Sequence, residues 1–254
     1  MNNPERIGRF TSSQMHRLMS NGRSLGSVGQ PFYTYVDEKR NERNMGVSFD
    51  SDPYTKSIAW GNFMELYLHG ECLGSEYRLT SKGTLVHPDY EYWAGTPDCE
   101  KFKNGELFAI SEIKCYQPKK FADYTNAIKK QDVGFLRDNF KQEYYQVVSN
   151  ACILNVDYGE VISFMPYASQ MDNVVDKNGD ITSIGIREII NALDDFADQN
   201  KYRFIVDSPN HDLAVLPDGG FYKNINKFMF EIPKEDKEKL TERVELASKE
   251  IQKK

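Results

Sequence analysis

The chain has 254 residues, of which 39% are hydrophobic, 13% aromatic and 28% charged, with a formal net charge of −6 at pH 7. That composition supports a packed core and excludes a disordered chain, and the acidic balance excludes a protein that holds nucleic acid by an overall basic surface. No run of 18 or more apolar residues occurs, which excludes a membrane-spanning helix.

In chain order, the N-terminal "MNNPERIGRF" lacks a basic segment followed by an apolar one. A cytoplasmic location is therefore the expectation. Residues 11–19, "TSSQMHRLM", read as a short helix with Ser/Thr capping ahead of Met15, Leu18 and Met19. A Gly/Ser-rich loop over 20–30 precedes a helix over 32–44, and a second loop over 48–57 precedes a helix over about 57–69. Residues 77–98 are strand-like, with a turn at Pro88-Asp89, and a hairpin follows around Lys103-Asn104-Gly105. Helices are expected over 119–131 and 137–154, a strand over 159–167, a helix over 184–199, a strand over 202–207 and a charged amphipathic helix over 233–252. This order predicts one α/β domain over residues 1–254, a central mixed β-sheet flanked by helices.

Charge is uneven along the chain. Residues 117–141 carry six Lys/Arg against three Asp, and residues 1–24 carry four Arg against one Glu. Such stripes suit a phosphate backbone as well as they suit a solvated helix face. Cysteines 72, 99, 115 and 152 form no CxxC pair, so they read as core thiols and not as zinc or iron–sulfur ligands.

The hairpin carries the chemistry. "GTPDCEKFKNGELFAISEIKC" (95–115) places Asp98 ahead of one strand and Glu112 and Lys114 near the end of the next. Glu112 and Lys114 share a face because strand side chains alternate, and Ile113 points the other way, into core. A strict two-residue Asn-Gly turn would put Asp98 and Glu112 on opposite faces. A three-residue loop at 103–105, with Gly105 left-handed, puts them on one face, and a β-bulge would do the same; the three-residue loop is the expectation. Two carboxylates and a lysine on one face suit metal-dependent phosphodiester hydrolysis. Carboxylate oxygens match Mg²⁺ or Mn²⁺, and a lysine can orient the water or stabilise developing charge. By itself, E-x-K is usually an ion pair on a solvated strand; with Pro-Asp on the preceding strand the two readings stand level. Glu65, in "AWGNFMELYLHGE" (59–71), and Gln146, in "KQEYYQVVSNACIL" (141–154), lie on predicted helices, where a surface charge and a half-buried amide are the bland readings.

Asp98 followed by Glu112-Ile113-Lys114 resembles the PD-(D/E)xK nuclease signature. The segments "RIGRFTSSQMHRLM" (6–19), "IAWGNFMELYL" (58–68), "WAGTPDCE" (93–100), "SEIKC" (111–115) and "YYQVVSNACIL" (144–154) resemble, in order, the lambda exonuclease / YqaJ-like viral recombinase family. The resemblance implies a restriction-endonuclease-like core in which Glu65, Asp98, Glu112 and the backbone carbonyl of Ile113 bind metal. It implies that Lys114 is the catalytic lysine and that Gln146 stands near the metal centre. It places Arg6, Ser13 and Thr96 at the 5′-terminal phosphate and Arg23 toward the DNA minor groove. Thr96 stands where Ser is usual, Cys99 where Gly is common and Tyr116 where Pro is frequent, and the hairpin loop is longer than usual; none of these removes a catalytic group. The implied activity is a Mg²⁺-dependent 5′→3′ double-strand DNA exonuclease of phage or prophage type, acting in a bacterial cytoplasm with two Mg²⁺ ions per site, or Mn²⁺ in their place. It leaves 3′ single-stranded tails for an annealing partner, and relatives form ring-shaped trimers. Two rivals stand beside it: an endonuclease of the same superfamily, which has no use for a 5′-phosphate pocket, and an inert DNA-end-binding protein, which has no use for an intact acidic set. A helicase-linked iron–sulfur nuclease is disfavoured by the cysteine spacing.

Overall fold

The computed structural model describes residues 4–24, 26–49, 56–80, 83–171 and 214–253. The helix expected over 184–199 and the strand over 202–207 lie outside them.

Among the described residues the core is a five-stranded mixed sheet in the order β2-β5-β6-β7-β8, formed by Tyr77–Leu79, Cys99–Lys103, Glu106–Lys114, Tyr158–Phe164 and Ile225–Glu231. β6 and β7 run parallel, and the other neighbours run antiparallel. A parallel pair needs a long crossover. Here three helices supply it: α4 (Pro118–Lys129), α5 (Val133–Asn139) and α6 (Lys141–Leu154). The single helix expected over 137–154 is therefore two, broken at Phe140. A small second sheet joins β1 (Phe10–Thr11), β4 (Trp93–Gly95) and β3 (Leu85–Val86), with β1 parallel to β4. The N-terminal segment is thus a strand, a 3₁₀ turn (Ser12–Gln14) and the four-residue α1 (Met15–Leu18), not a side-chain-capped helix. The Ser12 hydroxyl meets the Ser149 hydroxyl at 2.8 Å instead of capping.

Helices cover both sheet faces. On one, α1, α2 (Gln30–Met45), α6 and the C-terminal α8 (Lys234–Ile251) bury Trp93, Ile110, Tyr144, Val148, Val161, Phe228 and Leu240. On the other, α3 (Lys56–Tyr67), its π-helical extension (Leu68–Cys72) and α7 (Ala168–Met171) cover Cys99, Ile113, Ile162 and Phe164. β6 runs between these layers, so Ile110, Ser111, Glu112 and Ile113 are all fully buried.

The hairpin departs from the expected loop. Lys103 pairs with Glu106, so the turn is a strict two-residue Asn104-Gly105 turn, and both residues have positive φ, 54° and 85°. That is the geometry such dipeptides favour in hairpins. The face is restored further along: Phe102 pairs with Leu107 but Lys101 with Ala109, so Phe108 is an extra residue and forms a bulge. Beyond the bulge, Cys99 opposes Ser111, and Asp98 comes level with Glu112.

Candidate active site

The site sits where β6 ends and β5 begins. The β5–β6 ladder stops at Cys99–Ser111, so the Ile113 N–H finds no strand carbonyl on that side. It donates to Asp98 Oδ2 at 2.7 Å, which fixes the Asp98 carboxylate against β6. Glu112 lies beside it with no exposed surface, and Lys114 Nζ is 2.5 Å from Glu112 Oε1. Glu112 Oε2 is buried without a hydrogen-bond donor. An acceptor left bare in the interior is costly unless something cationic meets it.

The electrostatics follow from this crowding. Burial, then the neighbouring Asp98 charge, pushes Glu112 up to about 8, against the pull of Lys114. Asp98 is also raised, by burial, with Lys114 and the Ile113 N–H opposing. Burial works to lower the Lys114 ammonium, but Glu112 and Asp98 outweigh it and hold it well above an ordinary lysine. Two carboxylates pressed together out of water lack about one positive charge.

A cavity of about 220 Å³ opens beside Asp98, lined by Arg6, Thr11, Ser12, Ser13, Thr84, Gly95, Thr96 and Gln146. Five residues singled out in the sequence therefore share it: Arg6, Ser13, Thr96, Asp98 and Gln146. Three elements hold it together. Trp93 Nε1 donates to Ser149 Oγ at 2.7 Å, tying β4 to α6, and Ser12 meets the same hydroxyl. Gly95 permits the approach, since a Cβ there would lie 2.0 Å from Ser12 Oγ and 2.3 Å from Asn150 Oδ1. Thr96 Oγ1 lies 3.2 Å from Thr84 Oγ1. Thr84 had no local signal, because it reaches the cavity only through the pairing of β3 with β4.

No family model matches the chain, and no curated protein does either. Solved structures do. LHK-Exo in complex with dAMP superposes with a TM-score of 0.57 at 13% identity, covering 98% of this chain and 90% of that one. The alkaline exonuclease LHK-Exo from Laribacter hongkongensis gives 0.55 at 13%, covering 97% and 89%. A phage-related exonuclease from Haemophilus somnus 129PT gives 0.56 at 14%, covering 96% and 93%. The fold is that of these exonucleases.

Within this exonuclease fold two sequence-derived residues stand apart from the cavity. Arg23 is exposed in the 20–29 loop, which is closed by a bridge between Asn21 and Val28 and does not line the cavity. Glu65, half-buried on α3, lies near enough to help raise the Cys99 and Cys115 thiols, though burial is the larger cause for both. It does not close a three-carboxylate cage: among the described residues no three His, Cys, Asp or Glu side chains gather closely enough to hold a metal. The Ile113 side chain is buried in the α3-side core, as alternation requires. Next to Lys114, Tyr116 donates to Glu143 Oε1, which also sits 3.1 Å from Lys120 Nζ. The sequence marks Tyr116 only as a departure from the family pattern and gives no sign of its partner, because Tyr116 and Glu143 lie 27 residues apart. Among the described residues no helix is long and apolar enough to cross a membrane.

Proposed function

We propose that the protein is a Mg²⁺-dependent 5′→3′ exonuclease of double-stranded DNA, of phage or prophage recombination type, leaving 3′ single-stranded tails. The observation that carries this reading is the junction of two groups. Asp98, which stands against Glu112 and its partner Lys114, lines a cavity whose other walls include Arg6, Ser13, Thr96 and Gln146. One is suited to cutting a phosphodiester and the other to gripping a terminal phosphate.

The residues fit a divalent cation. Mg²⁺ is commonly held by one or two carboxylates, with waters and substrate phosphates completing its shell. Asp98 and Glu112 are such a pair, and the bare Glu112 Oε2 is an acceptor that awaits a cation. Glu65 and the Ile113 carbonyl are the further ligands that the family resemblance implies. When bound, the metal supplies Lewis-acid polarisation of the phosphate and a water of lowered pKa.

The chain's own groups do the rest. The Ile113 N–H orients Asp98. Lys114, kept charged by Glu112 and Asp98, offers N–H donors to the attacking water or to the phosphate oxygens. Arg6 grips the 5′-phosphate with paired charge-assisted hydrogen bonds, and the Ser13 and Thr96 hydroxyls donate to the same group. Holding that phosphate sets which bond is presented for cleavage, a positional effect. LHK-Exo binds dAMP, and a mononucleotide is the product this scheme releases. A ring-shaped homo-oligomer and a single-strand annealing partner belong to the same proposal.

Digestion of linear duplex with 5′-phosphate or 5′-hydroxyl ends, beside a closed circle, tests the reading. The expected result is Mg²⁺-dependent release of nucleotides from the 5′-phosphorylated end, with the circle intact. Arg6→Ala slows the phosphorylated substrate far more than the hydroxyl one. Efficient cutting of circles by the wild type moves the reading to an endonuclease.

A further inference from the structure

Helix α4 starts close to the catalytic end of β6 and carries four cations around its exposed face, Lys119, Lys120, Lys129 and, at its C-cap, Lys130, against one acid, Asp123. The first of them lie beside the active site. Lys120 Nζ lies 3.9 Å from the Tyr116 ring centroid, and the Lys114 charge is felt at Tyr116. From Lys120 to Lys129 is about 14 Å along the helix axis at 1.5 Å per residue, and nine residues at about 100° each set the two on opposite flanks of the exposed face, with Lys119 and Lys130 between them.

At the far end of that helix stands an aromatic side chain that the fold does not need. Phe221 is 84% exposed, the most exposed of the large hydrophobic side chains among the described residues. Its loop is nonetheless braced. Tyr222 packs edge-on to Phe221 at 5.1 Å and to Phe121 at 5.9 Å, and Asn126 Nδ2 donates to Tyr222 OH at 3.2 Å. Lys129 Nζ sits 5.0 Å from the Phe221 ring and 4.9 Å from the Tyr222 ring. A ring held out in water beside a cation offers a stacking face and a phosphate contact together.

We propose that α4 and the 217–223 loop form a binding site for single-stranded DNA, in which Phe221 stacks on an unpaired base and the lysines meet the phosphates. The lysines suit a polyanion that crosses the exposed face of α4, and the place of Lys120 beside the active site suits the substrate or product of that site. A bare ring has no use for a duplex, whose bases are already stacked on one another, whereas single-strand sites combine a basic track with aromatic platforms. The inference rests on the exonuclease reading, because 5′→3′ digestion leaves a single strand at this place.

The test is fluorescence anisotropy in EDTA with labelled oligothymidylate, a blunt duplex and a duplex bearing a 3′ tail. Phe221→Ala is expected to weaken oligothymidylate and tailed-duplex binding about 5- to 10-fold, the scale of one stacking contact, while blunt-duplex binding changes less than twofold. Phe221→Trp restores binding, and oligothymidylate quenches the added indole emission. Lys129→Ala lowers the salt dependence of oligothymidylate binding. Unchanged oligothymidylate binding in Phe221→Ala, or an equal loss on blunt duplex, overturns the site. Light scattering gives a third outcome: if Phe221→Ala breaks an oligomer and leaves oligothymidylate binding intact, the ring is a contact between copies and the site is overturned. Nuclease assays on the same proteins separate the two readings. A wild type that cuts no DNA but binds oligothymidylate through Phe221 overturns the exonuclease and keeps the site. A wild type that degrades linear duplex without Phe221-dependent binding overturns the site alone.

Discussion

The two faces of the same sheet each bury a glutamate beside a lysine, and the two clusters are built differently. On the α3 side, Glu160 is satisfied at both oxygens. Oε1 accepts from Lys101 Nζ at 2.8 Å and Tyr77 OH at 3.2 Å, and Oε2 accepts from Ser111 Oγ at 2.8 Å. Lys227 Nζ closes the ring by approaching Tyr77 OH at 3.1 Å. On the α6 side, Glu112 has Lys114 at one oxygen and no N–H or cation at the other, and a second carboxylate, Asp98, close enough to share a proton with it. One cluster is complete as folded, and the other is short of a cation. A buried charge with every lone pair met stabilises structure; one left bare in the interior marks a place where something binds.

Substitutions at equivalent positions on the two faces break that comparison most sharply. Asp98→Ala or Glu112→Ala is expected to abolish Mg²⁺-dependent DNA cleavage while leaving circular dichroism and cooperative unfolding in place. Glu160→Ala should do the reverse. Removing one partner of a buried pair costs about 3–5 kcal/mol, and Lys101 keeps some solvent contact, so a loss of about 2–4 kcal/mol in urea unfolding is expected with cleavage per folded molecule unchanged. A Glu160→Ala protein that is stable but inactive would reverse the assignment of the two faces.

Lys114→Ala comes next. Loss of one positioned charge-stabilising donor costs about 100- to 1,000-fold in turnover. Because lysine is not a metal ligand, the rise in melting temperature on adding Mg²⁺ should persist. Full activity in Lys114→Ala would make the pair with Glu112 structural, like that of Lys101 with Glu160.

The smallest effect concerns stability against pH. Glu112 is raised from 4.5 to about 8 by burial and then by Asp98. Between those values the folded protein holds a proton that the unfolded chain releases, so stability falls as pH rises through that window. In EDTA the melting temperature should decline between pH 5 and 8. The gain on adding Mg²⁺ should be larger at pH 8 than at pH 5, and Glu112→Gln should flatten both trends. Thermal scans in EDTA and in Mg²⁺ check this, and a Mg²⁺ gain independent of pH would detach the metal from Glu112.

Much of the architecture was legible because it is local. The position of the hairpin turn, though not its two-residue form, the helix over α4, the strand over β7 and the charged C-terminal helix each declare themselves through turn residues or periodicity within a dozen positions. β8 was legible too and was missed: "INKFMFE" alternates, burying Asn226, Phe228 and Phe230. The motif residues Asp98, Glu112 and Lys114 could be named from the hairpin alone, since period-2 alternation is a property of the backbone. Whether Asp98 shares their face could not. The turn by itself gives the wrong parity, and the bulge at Phe108 corrects it, a choice made by the register against Lys101 and Phe102. The cavity belongs wholly to the tertiary structure. Arg6 and Ser13, Thr96, and Gln146 come from three segments, and they meet because β1 pairs with β4 and Gly95 lets α6 close over both. Nothing in any one segment encodes that meeting, because it depends on contacts between residues more than eighty positions apart, such as Phe10 with Trp93 and Ser12 with Ser149.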